Sequence, residues 1–229
     1  MKIIIVGDSH TGPLNRGLQS LQSEQKFQGV KVAPIGAGAL MNERFFEERE
    51  GFVEITVTDA ISSIKRLPYG EEFDWYGVSG PLHVQPIVLD PFFYGNTPQP
   101  VTNALLKRLV LDRKQHSLAF MAVLKKLGLN VFVVEAPRTF PHHPGLPRDL
   151  SRVSRMEERC RAIIMDRLAE MGIPLIALPP EALDANGMMK AEFRHESESD
   201  KHHANAAFGA MMIEKTLESL SGARGVANA

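Results

Sequence analysis

Met1-Lys-Ile-Ile-Ile-Val-Gly-Asp-Ser-His-Thr-Gly12 sets four consecutive β-branched apolar residues directly before a turn-forming cluster. Ile3 to Val6 read as a short strand buried on both faces, since a half-exposed strand would alternate with polar residues. Gly7-Asp8-Ser9-His10 then joins turn residues to side chains that carry chemistry. At the carboxyl end of a strand in an open α/β sheet, loops and helix N-termini converge and ligands bind. Ser9 therefore stands with its hydroxyl toward solvent and its backbone N–H close to a helix start. Three readings fit the tetrapeptide. Ser9 is a nucleophile that needs a distant His as base; Asp8 and His10 together ligate a metal; or the segment is a plain turn with a helix cap.

The 229 residues are enough to bury a large core, and 44% hydrophobic with 23% charged residues is ordinary for a globular protein. A net charge of −1 gives no footprint for a nucleic-acid partner. Cys160, the single cysteine, has no partner for an internal disulfide. The first residues are too short for a signal-peptide apolar region, and no run approaches the roughly 20 apolar residues of a membrane span. A cytoplasmic location with no membrane partner is expected.

Beyond Gly12, Leu14, Leu18 and Leu21 mark a helix over 14–22, and residues 28–35 a second strand ending in Gly36-Ala-Gly38. Residues 42–72 fit no βα unit; Phe52-Val-Glu-Ile-Thr-Val alternates, so a small β insertion is expected there. A third strand covers 73–79 and leads into Gly80-Pro-Leu-His83. The Pro- and aromatic-rich stretch 90–102, with Phe92, Phe93 and Tyr94, suits a substrate wall. Asn103 is expected to cap a long helix whose inner face carries Leu106, Leu109, Val110, Leu118, Met121 and Leu124. A fourth strand lies within 130–137. A loop with Arg138, His142 and His143 follows it, then a helix over 150–171 whose Arg and Glu residues read as a solvated face. A fifth strand over 173–178 and a last helix over 206–220 complete the pattern, leaving 221–229 as a frayed tail to one domain over 1–220. Apolar strands alternating with helices indicate an α/β protein with a parallel five-stranded sheet covered on both sides.

Ser199-Asp-Lys-His-His-Ala-Asn205 precedes the last helix. At three residues' separation in a loop, Asp200 can meet the Nδ1 of His203 and leave Nε2 free to face a serine. Gly7-Asp8-Ser9 after the first strand, taken with Asp200-x-x-His203-x-Asn205 before the last helix, resembles the SGNH/GDSL hydrolase family along essentially the whole chain. The resemblance implies a flavodoxin-like three-layer α/β/α fold and ester hydrolysis through an acyl-serine, with no metal or other cofactor. It implies Ser9 as nucleophile, His203 as base, Asp200 as orienting acid and Gly38 in the oxyanion hole. Asp8 would support the Ser9 turn, with His10 and His202 as neighbours.

One block departs from the family. Gly-x-Asn-Asp is expected after the third strand, and Gly80-Pro-Leu-His83 stands there. Leu82 cannot donate to an oxyanion, and losing one such donor typically costs about 100- to 1000-fold in rate. His83 is the expected replacement, with Asn96 as another donor in reach. The substitution leaves room for an acyltransferase or a degenerate carbohydrate-binding protein. The metal reading resembles the Asp-x-His opening of calcineurin-like metallophosphoesterases, but their later Gly-Asp-x-x-Asp, Gly-Asn-His and Gly-His-x-His blocks do not occur. The expectation is an esterase for a small-molecule or carbohydrate ester, such as an O-acetyl group, with Phe93, Arg138 and His142 bordering the substrate.

Overall fold

The computed structural model describes residues 1–57, 63–68, 72–94, 101–147 and 149–227, the side chains of 91, 94 and 223–227 excepted. Strand β1 (Ile3–Gly7) leads into α1 (Thr11–Leu21) and β2 (Val30–Pro34). The short strands β3 (Phe46–Arg49), β4 (Phe52–Ile55) and β5 (Arg66–Leu67) follow, then β6 (Trp75–Ser79). Two single-turn helices, α2 (Gln85–Val88) and α3 (Pro91–Tyr94), precede the long α4 (Asn103–Lys126). The chain closes with β7 (Val131–Val134), α5 (Leu150–Glu170), β8 (Leu175–Ile176) and α6 (Ala206–Ala227).

Five strands form one parallel sheet in the order β2-β1-β6-β7-β8. Their register sets Pro34, Gly7, Ser79, Val134 and Ile176 in one row, so the loops after all five strands open on one edge. The order reverses between β1 and β6, the position where such sheets hold ligands. β1 is apolar throughout because both its faces are covered. Ile3 and Ile5 pack with Leu14 and Leu18 of α1 and Phe208 and Met212 of α6. Ile4 and Val6 point the other way, toward Val110 and Met121 of α4 and Ile164 of α5. The result is the expected three-layer α/β/α arrangement.

The two helical layers pack differently. On the α1/α6 side, a Cβ placed on Gly17 would lie 2.1 Å from the Ala210 nitrogen, and one on Gly209 would lie 1.8 Å from the Pro13 carbonyl oxygen. Backbone meets backbone there, and only glycine fits. On the α4/α5 side, large side chains fill the space, and the antiparallel β3-β4-β5 sheet from the expected insertion adds Phe45 and Phe46 against Phe120.

Several local expectations differ from what forms. Thr102, not Asn103, caps α4, its Oγ1 accepting from the Leu105 N–H at 3.2 Å, while Asn103 accepts from Arg159 instead. Helix α5 has the expected solvated face, with Arg155, Glu158, Asp166 and Arg167 exposed, but two of its charged residues turn inward: Glu157 and Arg161 are buried, and Arg161 pairs with the buried Glu135 beyond β7. The contact between Arg161 and Glu135 offsets part of the desolvation cost that either charge would carry alone. Helix α6 continues to Ala227, so the expected frayed tail is helical up to that point. Among the described residues, no helix is long and apolar enough to cross a membrane.

Candidate active site

The turn after β1 is fixed by Asp8. Its backbone carbonyl accepts from the Thr11 N–H (3.0 Å) and the Thr11 hydroxyl (2.7 Å), and its Oδ1 accepts from the His10 N–H (2.9 Å). These bonds start α1 two residues after Ser9. The same carboxylate lies under the loops after β2 and β6. A Cβ on Gly38 would sit 3.3 Å from Asp8 Oδ2, and one on Gly80 only 2.7 Å away, in a backbone with φ +108° that side chains disfavour. Asp8 thus gathers the three turns that surround Ser9.

The opposite partner comes from the segment before α6. His203 Nε2 lies 2.9 Å from Ser9 Oγ, and its Nδ1 lies 2.8 Å from Asp200 Oδ2. Asp200 Oδ1 accepts from the backbone N–H groups of His203 (2.9 Å) and His202 (3.2 Å). Partial burial works against the Asp200 charge, but the His203 amide and ring and the His202 amide outweigh it and hold the carboxyl well below its ordinary range. Two further anchors hold this segment. Arg16 of α1, which the sequence did not single out, donates to the Ala204 carbonyl at 3.0 Å. Asn205, the last residue of the Asp200-x-x-His203-x-Asn205 pattern, caps α6 by accepting from Phe208 N–H (3.1 Å) and ties its amide to the Glu192 carbonyl (2.7 Å).

A cavity of ≈360 Å³ opens over Ser9, lined among others by Gly38, Asn42, His83, Lys114 and His203. Leu82 points into the core, while His83 presents a buried Nε2 with no hydrogen-bond partner among the described residues. The His83 ring lies 4.0 Å from that of His10, which lies 5.1 Å from His203. Burial, with Asp8 opposing and His203 assisting, pulls His10 down to about 4. Burial, aided by His10, holds His83 well below its ordinary value. Both rings are therefore neutral near pH 7, and His83 has one ring N–H to offer.

Lys114 was also missed. Its ammonium donates to the His83 carbonyl at 2.7 Å and reaches the Gly80 carbonyl at 3.4 Å, bracing the loop after β6. Burial, partly offset by Asp8, lowers it to about 8. The signal was present: Lys114 sits four residues from both Val110 and Leu118, on the stripe that faces the core.

The expected substrate residues are not gathered here. Arg138 pairs with Glu158 and donates to the Gly187 carbonyl (3.1 Å), so its charge is already engaged. His142 stacks near Phe140 at 5.6 Å between ring centres and does not line the cavity. Phe93 is buried in the wall of an adjoining recess. Asn96 lies outside the described residues. Two sets, Asp8-His10-His83 and Asp200-His202-His203, bring possible metal-ligating atoms within 4.8 Å of one another. In each, the carboxylate already accepts backbone N–H bonds that fix a turn.

No family model and no curated protein sequence matches the chain. Solved structures do. An acetyl xylan esterase superposes with a TM-score of 0.50 at 12% identity, over 96% of this chain and 99% of its own. A Bacteroides fragilis protein assigned as an acylhydrolase gives 0.52 at 12% identity, over 96% and 87%. A Slackia heliotrinireducens protein assigned to the SGNH hydrolases gives 0.50 at 17%, over 96% and 98%. The chain has the SGNH/GDSL hydrolase fold.

Proposed function

We propose that the protein is an SGNH/GDSL-type ester hydrolase in which Ser9, His203 and Asp200 act through an acyl-serine intermediate. The observation that carries this reading is the unbroken hydrogen-bonded line from Asp200 Oδ2 through both nitrogens of His203 to Ser9 Oγ, joining residues 194 apart in sequence. As Ser9 Oγ attacks the ester carbonyl, His203 Nε2 takes its proton, and Asp200 stabilises the imidazolium and fixes the ring's tautomer. The Ser9 and Gly38 amides and the His83 ring N–H hold the oxyanion. Collapse of the tetrahedral species passes the proton from His203 to the departing alkoxide, which leaves as the alcohol. Water, deprotonated by His203, then attacks acyl-Ser9, and His203 returns that proton to Ser9 Oγ as the C–O bond breaks and the carboxylic acid leaves. The acetyl xylan esterase among the structural neighbours supports a carbohydrate ester as one candidate substrate.

Labelling with a fluorophosphonate probe, combined with p-nitrophenyl acetate hydrolysis, tests the proposal. Wild-type protein should label and turn over, and Ser9→Ala should lose the label and roughly 10⁴- to 10⁶-fold in rate. Equal rates from the two proteins would remove Ser9 from the reaction.

A further inference from the structure

Beside the Ser9 cavity lies a second recess of ≈310 Å³, walled by Ile87, Phe92, Phe93, Leu105 and Leu109. The two adjoin, with Ile87 and Arg113 lining both. Leu105, Leu109 and Arg113 are spaced four residues apart on α4, so one helix stripe runs from the apolar recess to the rim of the catalytic cavity. Phe92 and Leu105 are 47% and 42% exposed, which marks a binding surface when such residues cluster in a concavity. Asp90, the carboxylate on the recess wall, is engaged by the Phe92 N–H at 3.0 Å.

Direction distinguishes the two arms of an ester. His203 must protonate the leaving alkoxide, so the alcohol lies toward His203. That residue is held on the α1/α6 side, where Arg16 grips the neighbouring Ala204. The recess belongs to α4, across the sheet edge. The acyl arm therefore extends into it, past Ile87 and the aliphatic stem of Arg113.

We infer that this recess receives the acyl chain and makes the protein selective for acyl groups longer than acetyl, an inference that rests on the hydrolase mechanism proposed for Ser9. Ser9 is not among the residues that line it, and an acetyl group extends only one carbon beyond the carbonyl. Each added methylene buried there should raise kcat/KM about fourfold until the recess is filled.

The test is a series of p-nitrophenyl esters from acetate to dodecanoate, run on wild type, Leu109→Trp and the surface variant Leu105→Glu, the latter chosen because an acidic residue in the first turn of a helix does not threaten folding. Wild type should prefer a chain of intermediate length, and both variants should lower the octanoate-to-acetate ratio of kcat/KM by about tenfold or more. Isothermal titration of decanoate into Ser9→Ala protein should show binding that Leu105→Glu weakens. A wild-type optimum at acetate, or an unchanged ratio in both variants, overturns the inference and leaves the hydrolase intact. A gain with alkyl chain length in a series of alkyl acetates, and none in the acyl series, also overturns it by giving the recess to the alcohol. Absence of cleavage at every length, together with no fluorophosphonate label, overturns both proposals.

Discussion

The two faces of the sheet solve different problems. On the α1/α6 face, helices touch backbone to backbone at Gly17 and Gly209, and Arg16 reaches across to Ala204. Ser9 precedes one of these helices and His203 the other, so close packing there sets the distance between them. The α4/α5 face is held by bulky side chains and includes a half-buried lysine, a β insertion and an open apolar recess. Rigid contact belongs to the side that holds Ser9 and His203 2.9 Å apart, and the open recess to the side packed by bulky side chains.

If that division is correct, damage on the first face should fall on catalysis at any substrate length. Asp200→Asn keeps the shape of the segment but removes the charge that orients His203, and kcat should fall about 10³- to 10⁴-fold with little change in KM. Next in size is His83, on the second face: His83→Ala should cost about 100-fold in kcat, and His83→Asn, which restores an amide donor, should recover most of it. Full activity in His83→Ala would assign the oxyanion to backbone donors alone. Gly209→Val tests the helix contact directly. It should lower stability by about 1–3 kcal/mol in chemical denaturation. Per folded molecule, kcat should fall roughly 10-fold or more as Ser9 and His203 move apart. A core truncation on the other face, Val110→Ala, should cost comparable stability with far less loss of kcat.

The smallest expected effect is in pH dependence. His10, pulled down to about 4 in the folded protein from 6.5, is more readily protonated when unfolded. Stability should therefore fall as pH drops from 6.5 toward 4, by a few kcal/mol at most from this group. His10→Gln should flatten that part of the curve in thermal unfolding measured across the interval.

The two ends of the relay were legible because each is a local pattern: a strand running into Gly-Asp-Ser, and a carboxylate three residues from an imidazole. The alternation of apolar strands and helices likewise exposed the layered sheet and the insertion. Contacts between distant segments were not legible. Nothing near Gly209 marks it as the partner of Pro13, because an Ala-Phe-Gly-Ala run reads only as helix. Arg138 was expected to border the substrate, yet Glu158 of a helix further along takes its charge. Arg161 departs from the solvated face of α5 for the same reason: its partner Glu135 lies beyond the preceding strand. Lys114 was readable in principle, as a cation on an apolar stripe, and its meaning emerged only with the carbonyls it meets.

Both outer strands of the five-stranded sheet are poor templates for another polypeptide. β8 has two residues, and β2 ends in Pro34, whose carbonyl is already taken by the Ser63 N–H at 3.1 Å. A stray β-segment finds only two residues to pair with at the β8 margin, and at the β2 margin its ladder stops at Pro34, which limits edge-to-edge pairing of folded molecules.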